Sequence, residues 1–279
     1  MTVAEEKMAT AVAGAPNVAD VPAKPPSKAK RRIAITTIQV VVVATFLGVW
    51  EWASRTEVID PLLFGRPSEV WTAFFDYVPS TDGLASLSAT FQAVAVSFVI
   101  GSILGTVCGF VLGLSKWAND VFGPFLVPLN SIPRIALAPM FIAWFGLTMN
   151  AKVFLAVTIV FFILAENARS AVQSVDTDLM TMARVVGLKG PALIWKVVLP
   201  SAVPTMFAGL RLTFTYSLLG VIASEMIAAT NGIGQDIVLF SSGYQINTVF
   251  AIIIELVIIA VFVNAVFQFV ERRLLRWQD

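Results

Sequence analysis

Histidine is absent from this 279-residue chain, and cysteine occurs once, at Cys108. Without histidine, the commonest metal ligand and the usual proton shuttle near neutral pH are missing, which argues against a metalloenzyme or a histidine-based hydrolase. A lone cysteine forms no intrachain disulfide, and Cys108 lies inside an apolar run as a small packing residue. Charge is scarce as well: 13% of residues are Asp, Glu, Lys or Arg, against about 25% in an ordinary soluble domain. The formal net charge of +1 supplies no field for gathering nucleic acid. The sequence contains no Gly-x4-Gly-Lys-Ser/Thr phosphate loop, no Gly-x-Ser-x-Gly elbow and no Cys-x2-Cys pair.

What remains is apolar. Hydrophobic residues make up 57% of the chain, and the mean hydropathy is +0.83. A soluble fold of this composition would expose large greasy patches; an all-helical integral membrane protein would not. A helix crossing the hydrocarbon core needs about 20 apolar residues. Six segments qualify, at roughly 33–53, 88–114, 123–147, 152–170, 204–228 and 247–270. The third carries Pro124, Pro128, Pro133 and Pro139, which predicts a broken entry rather than a straight rod. Residues 1–32 are rich in Ala, Pro and Lys and are expected to be a disordered tail before a membrane domain at 33–279. The apolar run after the tail is too long for a secretory signal, so the first span is expected to be retained.

Basic residues orient the spans. With the N-terminus inside, the tail contributes Lys7, Lys24, Lys28, Lys30, Arg31 and Arg32 to the cytoplasmic side. Beyond it, Lys116, Arg169, Arg184, Lys189, Lys196, Arg272, Arg273 and Arg276 face the cytoplasm, and Arg55, Arg66 and Lys152 face outward. Both termini and a loop at about 171–203 are therefore expected inside. In the outer loop, Pro67 suits a first helical position, and Val70, Ala73, Phe74 and Tyr77 share one face of a short helix. That helix either meets an external partner or the membrane surface, or caps the bundle. Glycines at 101, 105, 109 and 113 line one face of the second span. They permit close approach of another backbone, either a second copy or, more simply, a helix of the same chain.

The 171–203 loop carries the most specific pattern: Ala183-x3-Gly187-x9-Val197-x-Leu199-Pro200. Gly187 permits a tightly turned backbone, and Gly190-Pro191 is a turn signal that can open a second short helix. Ala192, Leu193, Trp195, Lys196 and Val197 then form a compact knob with an apolar side, ended by Leu199 and Pro200. Such a knob fits a groove on another protein. Two further segments accompany it, Asn130–Gly146 (NSIPRIALAPMFIAWFG) and Ala223–Gly234 (ASEMIAATNGIG). Together they resemble the permease subunit of nitrate/sulfonate/taurine-type ABC importers, from about residue 33 to the end.

The resemblance implies a type I ABC importer permease with six spans. Two permease copies would pair with two cytoplasmic ATPase subunits, which would hold the ATP and magnesium. An extracytoplasmic solute-binding protein would deliver the cargo. It implies a non-catalytic chain in a bacterial inner (plasma) membrane, with no cofactor of its own. Ala183, Gly187, Ala192, Leu193, Trp195, Leu199 and Pro200 would form the ATPase-coupling segment. The chain departs from the family at Thr181-Met182-Ala183, where the usual acid of Glu-Ala-Ala is missing. Members carry nitrate, sulfonates, taurine, pyrimidine vitamin precursors and aromatic acids, so a small anionic solute is expected.

Charges within spans cost about 2.5–3.5 kcal/mol each on insertion scales and are functional candidates. Pro133 and Arg134 in the broken span, Arg211, Glu225 and Glu255 are the pathway or gate candidates. Arg211 and Glu255 lie at similar depth from opposite sides, each about 12 Å in, which makes them a candidate buried pair. Glu225 reads either as an outer-gate residue or as a solvated helix-end acid. The competing function is a proton-coupled secondary transporter using Glu225 or Glu255, against which stands the lack of any visible repeat.

Overall fold

A computed structural model of the chain describes residues 28–274. Residues 1–27 of the expected tail lie outside the described residues, whereas Lys28–Arg32 are already helical. Every regular element among the described residues is a helix. Among the described residues, five helices are long and apolar enough to cross a membrane, and one bent pair brings the number to six if it counts as one span.

The chain divides into two units after Trp52. The first helix, α1 (Lys28–Arg55), is apolar around its whole circumference, as expected of a span in contact with lipid. In the second unit, the outer segment opens with Gly65 at φ +66° and continues into α2 (Pro67–Tyr77), with Pro67 in its first turn. Val70 and Tyr77 are buried and Ala73 and Phe74 half-buried, while Trp71 and Phe75 stay exposed. The apolar face of α2 thus caps the bundle.

Helix α3 (Thr81–Leu114) starts at Ser80, whose side chain accepts the Gly83 N–H at 3.0 Å. Helix α6 (Met149–Gln173) runs against it, and the glycine row makes this possible. A Cβ at Gly101 would sit 2.5 Å from Val160 Cγ1, and one at Gly105 would sit 2.5 Å from the Phe161 carbonyl oxygen. Gly109 and Gly113 would meet Ala168 and Val172 at 2.6 and 2.7 Å. All four glycines therefore serve packing within one chain. Between these contacts, Ala93, Val94, Val153 and Ala156 form a core with Phe214, Leu218, Val221 and Ile222 of α8 (Leu199–Ile227).

The third span is broken as its prolines predict, although it starts earlier, at Lys116 rather than 123. Ser115 accepts the Ala118 N–H at 3.2 Å and so fixes the start of α4 (Lys116–Asn130). Pro133 then interrupts the chain, a 3-10 turn follows over Arg134–Leu137, and α5 (Ala138–Phe145) leaves at 82° to α4. Beyond α8 come α9 (Ile233–Ser242) and α10 (Ile246–Leu274). Asn247 of α10 accepts the Arg66 N–H at 2.9 Å and donates to Glu69 at 2.6 Å, which pins the start of α2.

Candidate coupling surface and intramembrane charges

The knob is built on helix α7 (Thr177–Val185), capped by Asp176, whose carboxylate accepts the Asp178 N–H at 2.7 Å. Thr181, standing where the acid of the pattern would be, donates to the Thr177 carbonyl at 2.8 Å. The helix ends in a turn in which Gly187 N–H reaches Arg184 O and Leu188 N–H reaches Ala183 O. Gly187 takes φ +92° there, a conformation that side chains with a Cβ rarely adopt.

A short turn, Pro191–Leu193, leads into a π-helical turn, Ile194–Val198, and directly into α8. Leu199 and Pro200 therefore do not end the knob helix as expected. The Leu199 N–H donates five residues back, to Ile194 O. This wider turn makes room for the Pro200 ring, which lacks an N–H and would clash with a carbonyl in a tight α-turn. Knob and span are one uninterrupted helical run, Pro191–Ile227.

Ala183, Val197 and Val198 face inward and are buried. Gly187, Ala192 and Trp195 are exposed, and Leu193, Leu199 and Pro200 are half-buried. The outward apex is more apolar than the sequence pattern indicated. Val185 and Val186 are 83% and 81% exposed, with Trp195 at 70% and Met182 at 67%. Together they form an exposed apolar apex around the turn between α7 and α8. The motif singled out Ala183 and missed its neighbours Met182, Val185 and Val186, although their spacing along α7 was readable.

The intramembrane charges sort into four arrangements. Arg134 braces the break in span three: its guanidinium donates to Leu129 O at 2.9 Å and Asn130 Oδ1 at 3.0 Å. It also lies 4.6 Å over the Phe162 ring. It thereby satisfies one carbonyl left open at the end of α4, that of Leu129; Pro133 beside it is exposed. Arg211 pairs with Glu271, not with Glu255. Helix α10 extends to Leu274, past the expected end at 270, and carries Glu271 to the level of Arg211. Along this antiparallel pairing, Glu255 lies sixteen residues away, about 24 Å.

Glu225 is not a solvated helix-end acid. It is 1% exposed and faces Lys152, 4% exposed, at 3.0 Å. All three ammonium protons of Lys152 are used, by Glu225 Oε1 at 3.0 Å, Asn231 O at 2.6 Å and Asn231 Oδ1 at 3.0 Å. The Thr90 hydroxyl donates to the Glu225 carboxylate, 2.9 Å from Oε2, and accepts the Ile233 N–H at 2.9 Å. Gly234 N–H adds a bond to Oε2 at 2.9 Å. Gly232, at φ +115°, lets the 228–234 loop close over this carboxylate: a Cβ there would sit 2.7 Å from Oε2. Sequence reasoning missed Lys152 and Thr90, which are remote in sequence from Glu225 and carry no local signal. Glu255, 4% exposed, has no hydrogen-bond partner on either oxygen among the described residues.

Comparisons with known proteins bear on what this arrangement serves. Residues 83–276 match the family described as binding-protein-dependent transport system inner membrane component. A protein of Escherichia coli K12 named as an aliphatic sulfonates transport permease, SsuC, is 31% identical over 255 residues, covering 91% of this chain and 95% of its own. The taurine transport system permease TauC of the same organism is 25% identical, covering 86% and 90%. Among solved structures, the inward-facing MetNI methionine ABC transporter aligns with TM-score 0.60 at 18% identity, covering 75% of this chain and 98% of the matched one. A bacterial ABC transporter that imports the acidic polysaccharide alginate aligns with TM-score 0.61 at 14% identity, covering 87% and 99%. At such identities the structural likeness concerns the fold.

Proposed function

The chain belongs to the family of binding-protein-dependent transport system inner membrane components, and from that premise we propose that its exposed knob docks a separate ATPase and that its cargo is a small sulfonate-type anion. It is an ABC importer permease subunit of the inner membrane, a reading that family membership favours over a proton-coupled secondary transporter. The observation that carries the docking reading is the apolar apex of Met182, Val185, Val186 and Trp195, set on a helical run continuous with α8. Docking of a cytoplasmic ATPase on the knob goes with the N-in, C-in orientation that the bias of Lys and Arg supports. Hydrolysis of ATP then belongs to the docked partner, and a second permease copy completes the pathway. The cargo class is supported by the relatives named for aliphatic sulfonates and for taurine.

Val186→Asp and Trp195→Asp test the docking. Both positions are exposed, so the unfolding temperature of the purified chain is expected to change little. Retention of the co-expressed ATPase on the tagged, detergent-solubilised chain is expected to fall at least about tenfold, the loss of about 1.4 kcal/mol. Undiminished ATPase retention in both variants would sink the reading. Uptake of labelled taurine by vesicles holding the full complex, competed by an alkyl sulfonate and not by the matching neutral alcohol, tests the cargo class.

A further inference from the structure

One buried carboxylate is left without a counter-charge. Glu255 is flanked on α10 by Ile252 and Leu256, and these pack with Ile233 and Ile237 of α9 around the ring of Tyr77. Within this cluster the Tyr77 hydroxyl donates to Asp236 at 2.5 Å. Burial, reinforced by that bond to Asp236, raises the Tyr77 phenol above its ordinary range, and the charge of Glu255 adds to the effect. The hydroxyl therefore keeps its single proton and spends it on Asp236, leaving only lone pairs for Glu255.

Among the described residues, no side-chain cation is bonded to Glu255, and Arg66, on the same side of the bundle, pairs with Glu69. Lys152 is consumed by Glu225 and Asn231, Arg211 is bonded to Glu271, and Arg134 caps α4. The titratable groups that reach Glu255 are Asp236 of α9 and Tyr77 of α2. The result is a cluster of oxygen acceptors in which Glu255 is buried and Asp236 half-buried. An isolated charged carboxylate in such surroundings is prohibitively costly, so a positive charge must accompany it. Oxygen-only donors call for a hard cation. No group of three or more acidic, His or Cys side chains gathers among the described residues, which leaves a divalent ion short of ligands. Asp236 is half-exposed and keeps contact with solvent, so the buried charge left uncompensated is the single one of Glu255.

We propose that Glu255, with Asp236 and Tyr77, binds one monovalent cation, a proton or Na⁺, and that this ion fastens α10 to α2 and α9. The ion is a resident of the outer half of the bundle rather than a driving ion. Two sources share this chemistry, and thermal unfolding of the purified full-length chain in detergent separates them. One arm replaces choline chloride with NaCl at constant ionic strength and pH; the other lowers the pH in choline chloride. A bound ligand raises the unfolding midpoint. The wild type is expected to gain several degrees in one arm: with Na⁺ if sodium is bound, on acidification if a proton is. Glu255→Gln, neutral and isosteric, is expected to lose that gain, and Asp236→Asn to shift it to about tenfold higher ion concentration. Responses of Glu255→Gln and Asp236→Asn that match the wild type in both arms would overturn the proposal, as would stabilisation by CaCl2 alone. Should Glu255→Gln not fold, Asp236→Asn alone decides, since its position is half-exposed.

Discussion

Replacing Lys152 with alanine is expected to destabilise the chain by about 3–5 kcal/mol, because it strands the buried Glu225 carboxylate. The substitution removes an ammonium whose three protons are all bonded, beside a carboxylate that is itself 1% exposed. Glu225→Ala is expected to cost a similar amount, since it leaves Lys152 charged and the Thr90 hydroxyl and Gly234 N–H without their acceptor. The double change Lys152→Met with Glu225→Gln removes both charges at similar volume and is expected to recover most of the loss. Denaturant or thermal unfolding in detergent, arranged as a double-mutant cycle, measures this coupling. Additive losses across the cycle would mean that the two side chains act independently. Added salt should leave the coupling almost unchanged, because a buried pair is poorly screened.

Leucine at Gly105 or Gly109 is expected to prevent α3 and α6 from packing. At both positions a new side chain would meet backbone carbonyls of α6, those of Phe161 and Ala165. A carbonyl inside a helix cannot rotate away without giving up its own bond, so the helices must separate. Overpacking against movable side chains costs about 1–3 kcal/mol; here the obstacle is fixed, and the expected result is loss of monodisperse protein after detergent extraction. Gly220→Ala makes the contrast. Its nearest neighbour is Cδ1 of Ile159, the free end of a side chain that can turn aside, and its effect is expected to stay within about 1 kcal/mol. Were the glycine row a seam between copies, the leucine variants would instead appear as well-folded single chains.

The spans, the break at Pro133 and the glycine face were legible in the sequence because each is written in local residue type and period. Hydropathy marks a span wherever it lies, and a proline interrupts hydrogen bonding regardless of what surrounds it. The knob was legible through Gly187 and Gly190, whose positive φ angles are local demands. Its Leu-Pro ending was misread, because a π-turn that passes a proline without stopping has no sequence mark. The buried charges were the least legible. Glu225 was singled out, but its partner Lys152 had been counted as an outer-loop cation; a lysine four residues into a helix looks solvent-facing until the 228–234 loop folds over it. The expected Arg211–Glu255 pair failed for a related reason. Depth counted from span ends carries the error of those ends, and α10 proved longer than its apolar stretch.

The unbroken run from Pro191 to Ile227 has a mechanical consequence. Trp195 and Glu225 lie near opposite ends of the same rod, thirty residues or about 45 Å apart. Tilting that rod about its Trp195 end by about 5° sweeps its far end through about 4 Å. That exceeds the 3.0 Å separating Lys152 from Glu225. A small tilt of this run is therefore converted into a displacement at its far end large enough to open the ion pair there.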